Sequence, residues 1–117
     1  MNFRGVFLTS EQPDVTARFY RDVARVAIEE VDSAGTYRYW KYDDGQIQIA
    51  IHDARAFADY AFPPRTDSNV THMYFHIADH AAFLEQLRMQ HIEPKAVDPV
   101  VITLVDPDGR IVLFGTA

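Results

Sequence analysis

The sequence predicts an α+β fold in which the order βαβββ is written twice. Two observations carry this. Each half of the chain opens with a strand that feeds a helix through a short polar loop. Each half also closes in a hairpin through an acidic glycine turn, Asp43-Asp44-Gly45 in the first and Asp106-Pro107-Asp108-Gly109 in the second. A repeat at this scale is the mark of duplicated supersecondary units. Neither half can bury a sheet and a helix alone, so the two are expected to pack together as one domain over residues 1–117. The modules are assigned to residues 1–53 and 69–117, joined by a linker at 54–68.

The elements follow in order. FRGVFLTS at 3–10 is short and β-prone, and reads as a strand. Pro13 and Asp14 open a helix: proline fits the first turn, and the carboxylate complements the helix dipole. Val15, Phe19 and Val23 recur every four residues, with Tyr20 beside them, and predict its buried stripe. A strand is expected over 26–31, then a turn at 33–35. Strands over 36–42 and 46–52 flank the DDG turn. Ile47, Ile49 and Ile51 alternate with Gln46, Gln48, Ala50 and His52, so one face is expected in the core and the other outside it. Pro63-Pro64 interrupts the linker, which has room for one helical turn. In the second half, 69–78 reads as a strand and 80–90 as a helix with Phe83, Leu84 and Leu87 inward. The stretch 92–97, with Pro94, reads as an edge strand. Strands at 100–105 and 110–115 flank the DPDG turn.

Composition excludes several classes. With 117 residues and 48% apolar content, a chain of this length builds one modest core. There is no cysteine, so disulfides, thiolate metal sites and Cys nucleophiles are out. The net charge of −6 and the lack of a basic cluster argue against nucleic acid. The first twenty residues carry Arg4, Glu11, Asp14 and Arg18 with no long apolar run, so neither a signal peptide nor a membrane span is expected, and the expected location is cytoplasmic.

Three stretches carry a resemblance: TARFYRDVA after the opening strand, NVTHMYFHIAD at the start of the second module, and VDPDGRIVLFG at the end. Together with the duplicated order they resemble the vicinal oxygen chelate superfamily. That group holds glyoxalase I, extradiol dioxygenases and the fosfomycin and bleomycin resistance proteins. The resemblance implies paired modules that curl a mixed sheet into an open cup with helices outside, a ligand or metal within, and a homodimer.

It also implies four metal-ligand positions, the first and last strands of each module. Here these are Gly5, Gln48, His72 and Leu113. Glycine and leucine offer no donor, so only His72 is a good ligand, with Gln48 a weak amide oxygen. A catalytic divalent ion wants about three protein ligands. His72 and His76 share a strand face but lie about 13 Å apart. No metal and no cofactor is therefore expected. The DPDG turn is present; the carboxylate it introduces in metal-dependent members is not.

Strand alternation then gives the expected ligand-binding residues. Phe7, Gln48, His72, Tyr74, His76 and Leu113 line the cup, and a three-residue loop at 43–45 adds Trp40 and Arg38. A two-residue turn would instead bring Lys41 and Tyr39 to that face. The site is aromatic with a few polar anchors and suits a flat organic ligand. The expected function is a metal-free small-molecule-binding protein of the bleomycin resistance type, holding an aromatic compound such as an antibiotic or secondary metabolite. The alternatives are a metal-dependent lyase, isomerase or dioxygenase of that superfamily, or a metal-free enzyme with His72 or His76 as base. A degenerate module that binds only another protein is a third.

Overall fold

The computed structural model describes residues 3–33, 37–57 and 72–117. Its fold class is α+β, as the sequence predicts. The chain divides into two compact units, Met1–Arg65 and Thr66–Ala117.

The first unit runs β1 (Gly5–Ser10), α1 (Pro13–Asp22), β2 (Glu29–Ser33), β3 (Tyr37–Asp43), β4 (Gln48–Asp53) and the one-turn helix α2 (Ala54–Phe57). The sheet order is β1-β4-β3-β2, with β1 parallel to β4 and the remaining pairs antiparallel. Helix α1 covers one sheet face. Its buried side chains are Pro13, Thr16, Ala17 and Tyr20, followed by Val23 at its C-cap. The predicted stripe is thus rotated: Phe19 is half-buried, because Tyr20 and Thr16 take the inner positions. Thr16 reaches the sheet directly, its hydroxyl bonded to that of Ser10 at 3.0 Å. Against α1 lie Leu8, Trp40 and Ile51, all buried.

Two boundaries differ from expectation. Strand β2 begins at Glu29 rather than Val26. The intervening residues close α1 instead: Arg25 takes a left-handed conformation (φ 57°), and the Val26 N–H donates to the Tyr20 carbonyl at 3.0 Å. The β3–β4 connection leaves Asp44–Ile47 outside the ladder rather than three residues at 43–45. The Asp44 carboxylate accepts from the N–H groups of Gln46 and Ile47, both at 2.8 Å, and that widens the loop. Ile47 is consequently exposed and outside the core, contrary to the strand reading.

The second unit runs β5 (Met73–His76), α3 (His80–Met89), β6 (Ala96–Val97), β7 (Val101–Val105) and β8 (Ile111–Gly115). Its order, β5-β8-β7-β6, repeats that of the first unit, again with the opening strand parallel to the closing one. Helix α3 starts at Asp79, whose side chain accepts from the Ala82 N–H at 2.9 Å. Phe83 and Leu87 are its buried residues. They meet a sheet face of Ile102, Leu104, Val112 and Phe114, and the Phe83 and Phe114 rings stack at 4.7 Å. The predicted start of the β5 strand and most of the linker, residues 58–71, lie outside the described residues. Strand β6 is shorter than the predicted 92–97, since Ile92 is used to close α3 by donating to the Leu87 carbonyl.

Candidate functional site

Strand register decides which side chains share a face. In the first unit Gly5 pairs with Gln48, Phe7 with Ala50, and Thr9 with His52. Across β3, Lys41 pairs with Ala50 and Tyr39 with His52. Paired residues point the same way, so the face turned from α1 carries Phe7, Tyr37, Tyr39, Lys41, Gln48 and His52. The expected inward group of Phe7 and Gln48 is on this face.

Trp40 and Arg38 are not, which corrects the expectation drawn from a three-residue loop. Trp40 pairs with Ile51 and is buried on the α1 side. The longer loop shifts the register by an odd number of residues, and an odd shift exchanges the faces. Arg38 lies over the Trp40 ring, 5.0 Å from its centroid, and is held by the Glu30 carboxylate. Both line a cavity of about 450 Å³ beside the start of α1, together with Glu11, Asp14, Asp53 and Arg55. Of its charges, Arg55 pairs with Asp53, and Arg38 pairs with Glu30 of the neighbouring strand.

The centre of the other face is His52. Its imidazole stacks on Tyr39 at 5.0 Å with 9° between the planes, and tilts against Phe7 at 5.0 Å. Its Nδ1 lies 2.6 Å from the Tyr37 hydroxyl. His52 is 7% exposed, while Phe7 is 55% exposed. Burial pulls the imidazole below its ordinary pKa of 6.5, because the charged form loses water. Lys41 is aimed toward Asp43, at 4.0 Å, and Arg4 makes two 2.7 Å bonds to the same carboxylate. Those bonds to Arg4 hold the Asp43 carboxyl below the usual range. Sequence reasoning put His52 on the correct face but did not select it, and it missed Tyr37. The signal was the run TYRYWKY, whose alternate tyrosines mark one face once the register is known.

In the second unit Tyr74 pairs with Leu113 and His76 with Gly115, and Thr103 stands across from Leu113. Tyr74, His76 and Leu113 therefore share the face turned from α3, as expected. His72, just before β5, is exposed. The Tyr74 hydroxyl donates to the Ala117 backbone oxygen at 2.6 Å. A Cβ at Gly115 would come within 2.8 Å of that hydroxyl and 3.2 Å of the Val100 carbonyl oxygen, so the glycine makes room for the tyrosine.

The residues at the four metal positions do not fit a metal. Gly5 has φ +153°, and a Cβ there would collide with the Gln48 backbone, whose carbonyl carbon and nitrogen would lie only 2.8 Å away. The position is closed to any side chain, not merely lacking one. Leu113 has no donor. Within the described residues of either unit, no three His, Asp or Glu side chains gather to hold an ion. The buried carboxylates Asp106 and Asp108 are engaged by their own turn. Asp106 accepts from the N–H groups of Asp108 and Arg110 and from the Arg110 guanidinium, each at 2.9 Å.

No protein-family model matches the sequence, and no curated protein matches it. Solved structures do match in fold. A lactoylglutathione lyase from Agrobacterium tumefaciens aligns with a TM-score of 0.66 at 18% identity, covering 97% of this chain and 91% of that one. A glyoxalase/bleomycin resistance protein/dioxygenase from Nocardioides aligns at 0.69 and 16%, covering 97% and 82%. A member of the same superfamily from Sphaerobacter thermophilus aligns at 0.67 and 13%, covering 98% and 96%.

Proposed function

We propose that this chain, which has the vicinal oxygen chelate fold, is a metal-free protein that binds a flat, aromatic organic molecule. The observation that carries the reading is the chemistry of the sheet faces turned from the helices. Where the fold's metal-dependent members place donors, this chain has a closed glycine and a leucine, and the surrounding side chains are rings. In the first unit the ligand would lie on Phe7 and Tyr39, with Tyr37, Gln48 and Lys41 at its edges. In the second, Tyr74 and Leu113 supply apolar surface and His72 and His76 the polar edge. Ring stacking of this kind adds about 0.5–1.5 kcal/mol per pair beyond the area buried. Sequestration of an antibiotic or secondary metabolite follows from such a face without any bond being made or broken.

The proposal extends to a homodimer. Val97, Val100 and Val105 of the second unit are each more than two-fifths exposed, and a second copy would cover them. Sedimentation equilibrium checks this; a monomer at high concentration removes it.

The test of the function is an NMR screen of aromatic fragments in the presence of a chelator. Binders are expected to shift the Phe7, Tyr39 and His52 ring signals while leaving Trp40 unmoved. A broad screen with no binder to the folded protein, or with binders only after a divalent metal is added, overturns the reading.

A further inference from the structure

The Tyr37–His52 pair holds more information than its packing requires. One proton lies between Tyr37 Oη and His52 Nδ1, 2.6 Å apart. A phenol is a far stronger acid than a neutral imidazole N–H, so O–H···N is the better pairing. It places the imidazole proton on Nε2 and leaves Nδ1 as an acceptor. The Tyr37 hydroxyl then donates to the histidine, and its oxygen keeps acceptor capacity of its own. Protonation of His52 makes both ring nitrogens donors. Nδ1–H must then donate to Tyr37 Oη, and the Tyr37 proton must turn away from the histidine.

We propose that His52 sets the hydrogen-bond polarity of Tyr37 toward a ligand on this face. With His52 neutral, the site takes ligands that donate; with His52 protonated, it presents a donor to ligands that accept. This rests on the reading above that the face binds an organic molecule.

Among the described residues, the neighbours of His52 favour the neutral form and pack the ring on both sides while its proton changes. From β1 the ring meets Phe7, and Thr9 pairs with it in the ladder; neither titrates near neutral pH. From β3 it meets Tyr37 and the Tyr39 face, with Lys41 the cation of the same strand face, turned to Asp43. On β4 itself Gln48 and Ala50 are uncharged, and Asp53 points to the other side, bonded to Arg55 of α2. Burial disfavours the imidazolium, so the change of polarity falls on the acid side of neutrality. The stack on Tyr39 survives it, since an aromatic face also attracts a cation.

The experiment is nitrogen-15 NMR of the imidazole rings of the full chain from pH 8 to pH 4, alone and with two probes. Benzamidine donates and benzoate accepts. The expected result is a neutral His52 with its proton on Nε2, a midpoint below 6.5, and Tyr37 ring signals that move at the same midpoint. The benzamidine-to-benzoate affinity ratio should fall by about fivefold or more across that midpoint, the worth of one hydrogen bond of the right sense. The change should shrink in Tyr37→Phe, which keeps the ring and the histidine charge. A neutral His52 with its proton on Nδ1, a ring that stays neutral until the chain unfolds, or Tyr37 signals that ignore the His52 titration each overturn the inference. If the NMR behaviour is as expected and neither probe binds, the polarity change stands, and it is the reading of this face as a ligand site that fails.

Discussion

Trp40 and Phe7 show how strand register decides which of two rings is buried and which is exposed. Both looked like ligand platforms in the sequence. The ladder puts Trp40 under α1, paired with Ile51, and leaves Phe7 on the opposite face beside His52. Removing a large buried ring costs about 3–5 kcal/mol, so Trp40→Ala is expected to destabilise by about that much. Phe7→Ala, at a mostly exposed position, should cost under about 1 kcal/mol yet weaken an aromatic ligand several-fold. Denaturant melts and fragment titrations on the two variants check the contrast; equal stability losses would mean the faces are misassigned. His52 gives a second prediction at this scale. Its folded pKa is depressed by burial, so the unfolded chain takes up a proton that the folded chain resists. The stability this gives is full above pH 6.5 and is lost as pH falls below it. Asp43, Asp44 and Asp98 are held below the ordinary carboxylate pKa of 3.8, Asp43 by Arg4 and the others by backbone N–H groups. Their stability is lost only in stronger acid. Unfolding free energy should therefore fall in two steps on acidification. His52→Gln should remove the first and keep the second.

At the scale of elements, the turns explain which parts of the fold were readable. The DPDG turn behaves as its sequence says because Asp106 ties it to itself, through two backbone N–H groups and Arg110. The DDG turn misled because the decisive bonds come from Asp44 to residues beyond the glycine, and nothing in the tripeptide announces them. Element order, the helices α1 and α3 and the closing strands were legible because hydrophobic period and turn chemistry are local. The helix C-termini were not: Arg25 and His91 both take φ 57°, where glycine is the usual signal. At His91 the Ile92 N–H bonds to the Leu87 carbonyl and the His91 N–H to that of Arg88, which completes the helix-closing motif with a residue that strains in it. His91→Gly is expected to raise stability by about 0.5–1 kcal/mol. Asp106→Ala should lower it by about 2–3 kcal/mol, because it strands two backbone donors and a guanidinium. Chemical denaturation of both variants tests the pair; a destabilised His91→Gly would mean that the side chain does more than fill the turn.

For the molecule as a whole, the question is whether the chain can hold an ion when Gly5 and Leu113, two of the four positions that the resemblance marks for donors, carry none. The sequence already showed that two positions lack donors. It could not show that Gly5 is closed, because that depends on how near the β4 backbone comes to β1. A single substitution should therefore not restore a site. Gly5→His would have to force the Gln48 backbone away and break the Gln48 N–H bond to the Arg4 carbonyl, 2.8 Å in this structure. It is expected to cost stability without gaining metal affinity. Anything that binds only the folded state raises the melting temperature, by an amount that grows with the logarithm of its concentration over Kd. A thousandfold excess over Kd would add about 4 kcal/mol. The decisive measurement is the elemental content of untagged protein, followed by thermal melts with nickel, zinc, manganese and iron. Less than a tenth of an equivalent of metal and unshifted melts, in the wild type and in Gly5→His alike, are the expected result. A stoichiometric ion in the wild type would mean that donors outside the four positions complete a site. His72 would then be the first ligand to replace, and a lyase, isomerase or dioxygenase would displace the binding protein as the reading of this fold.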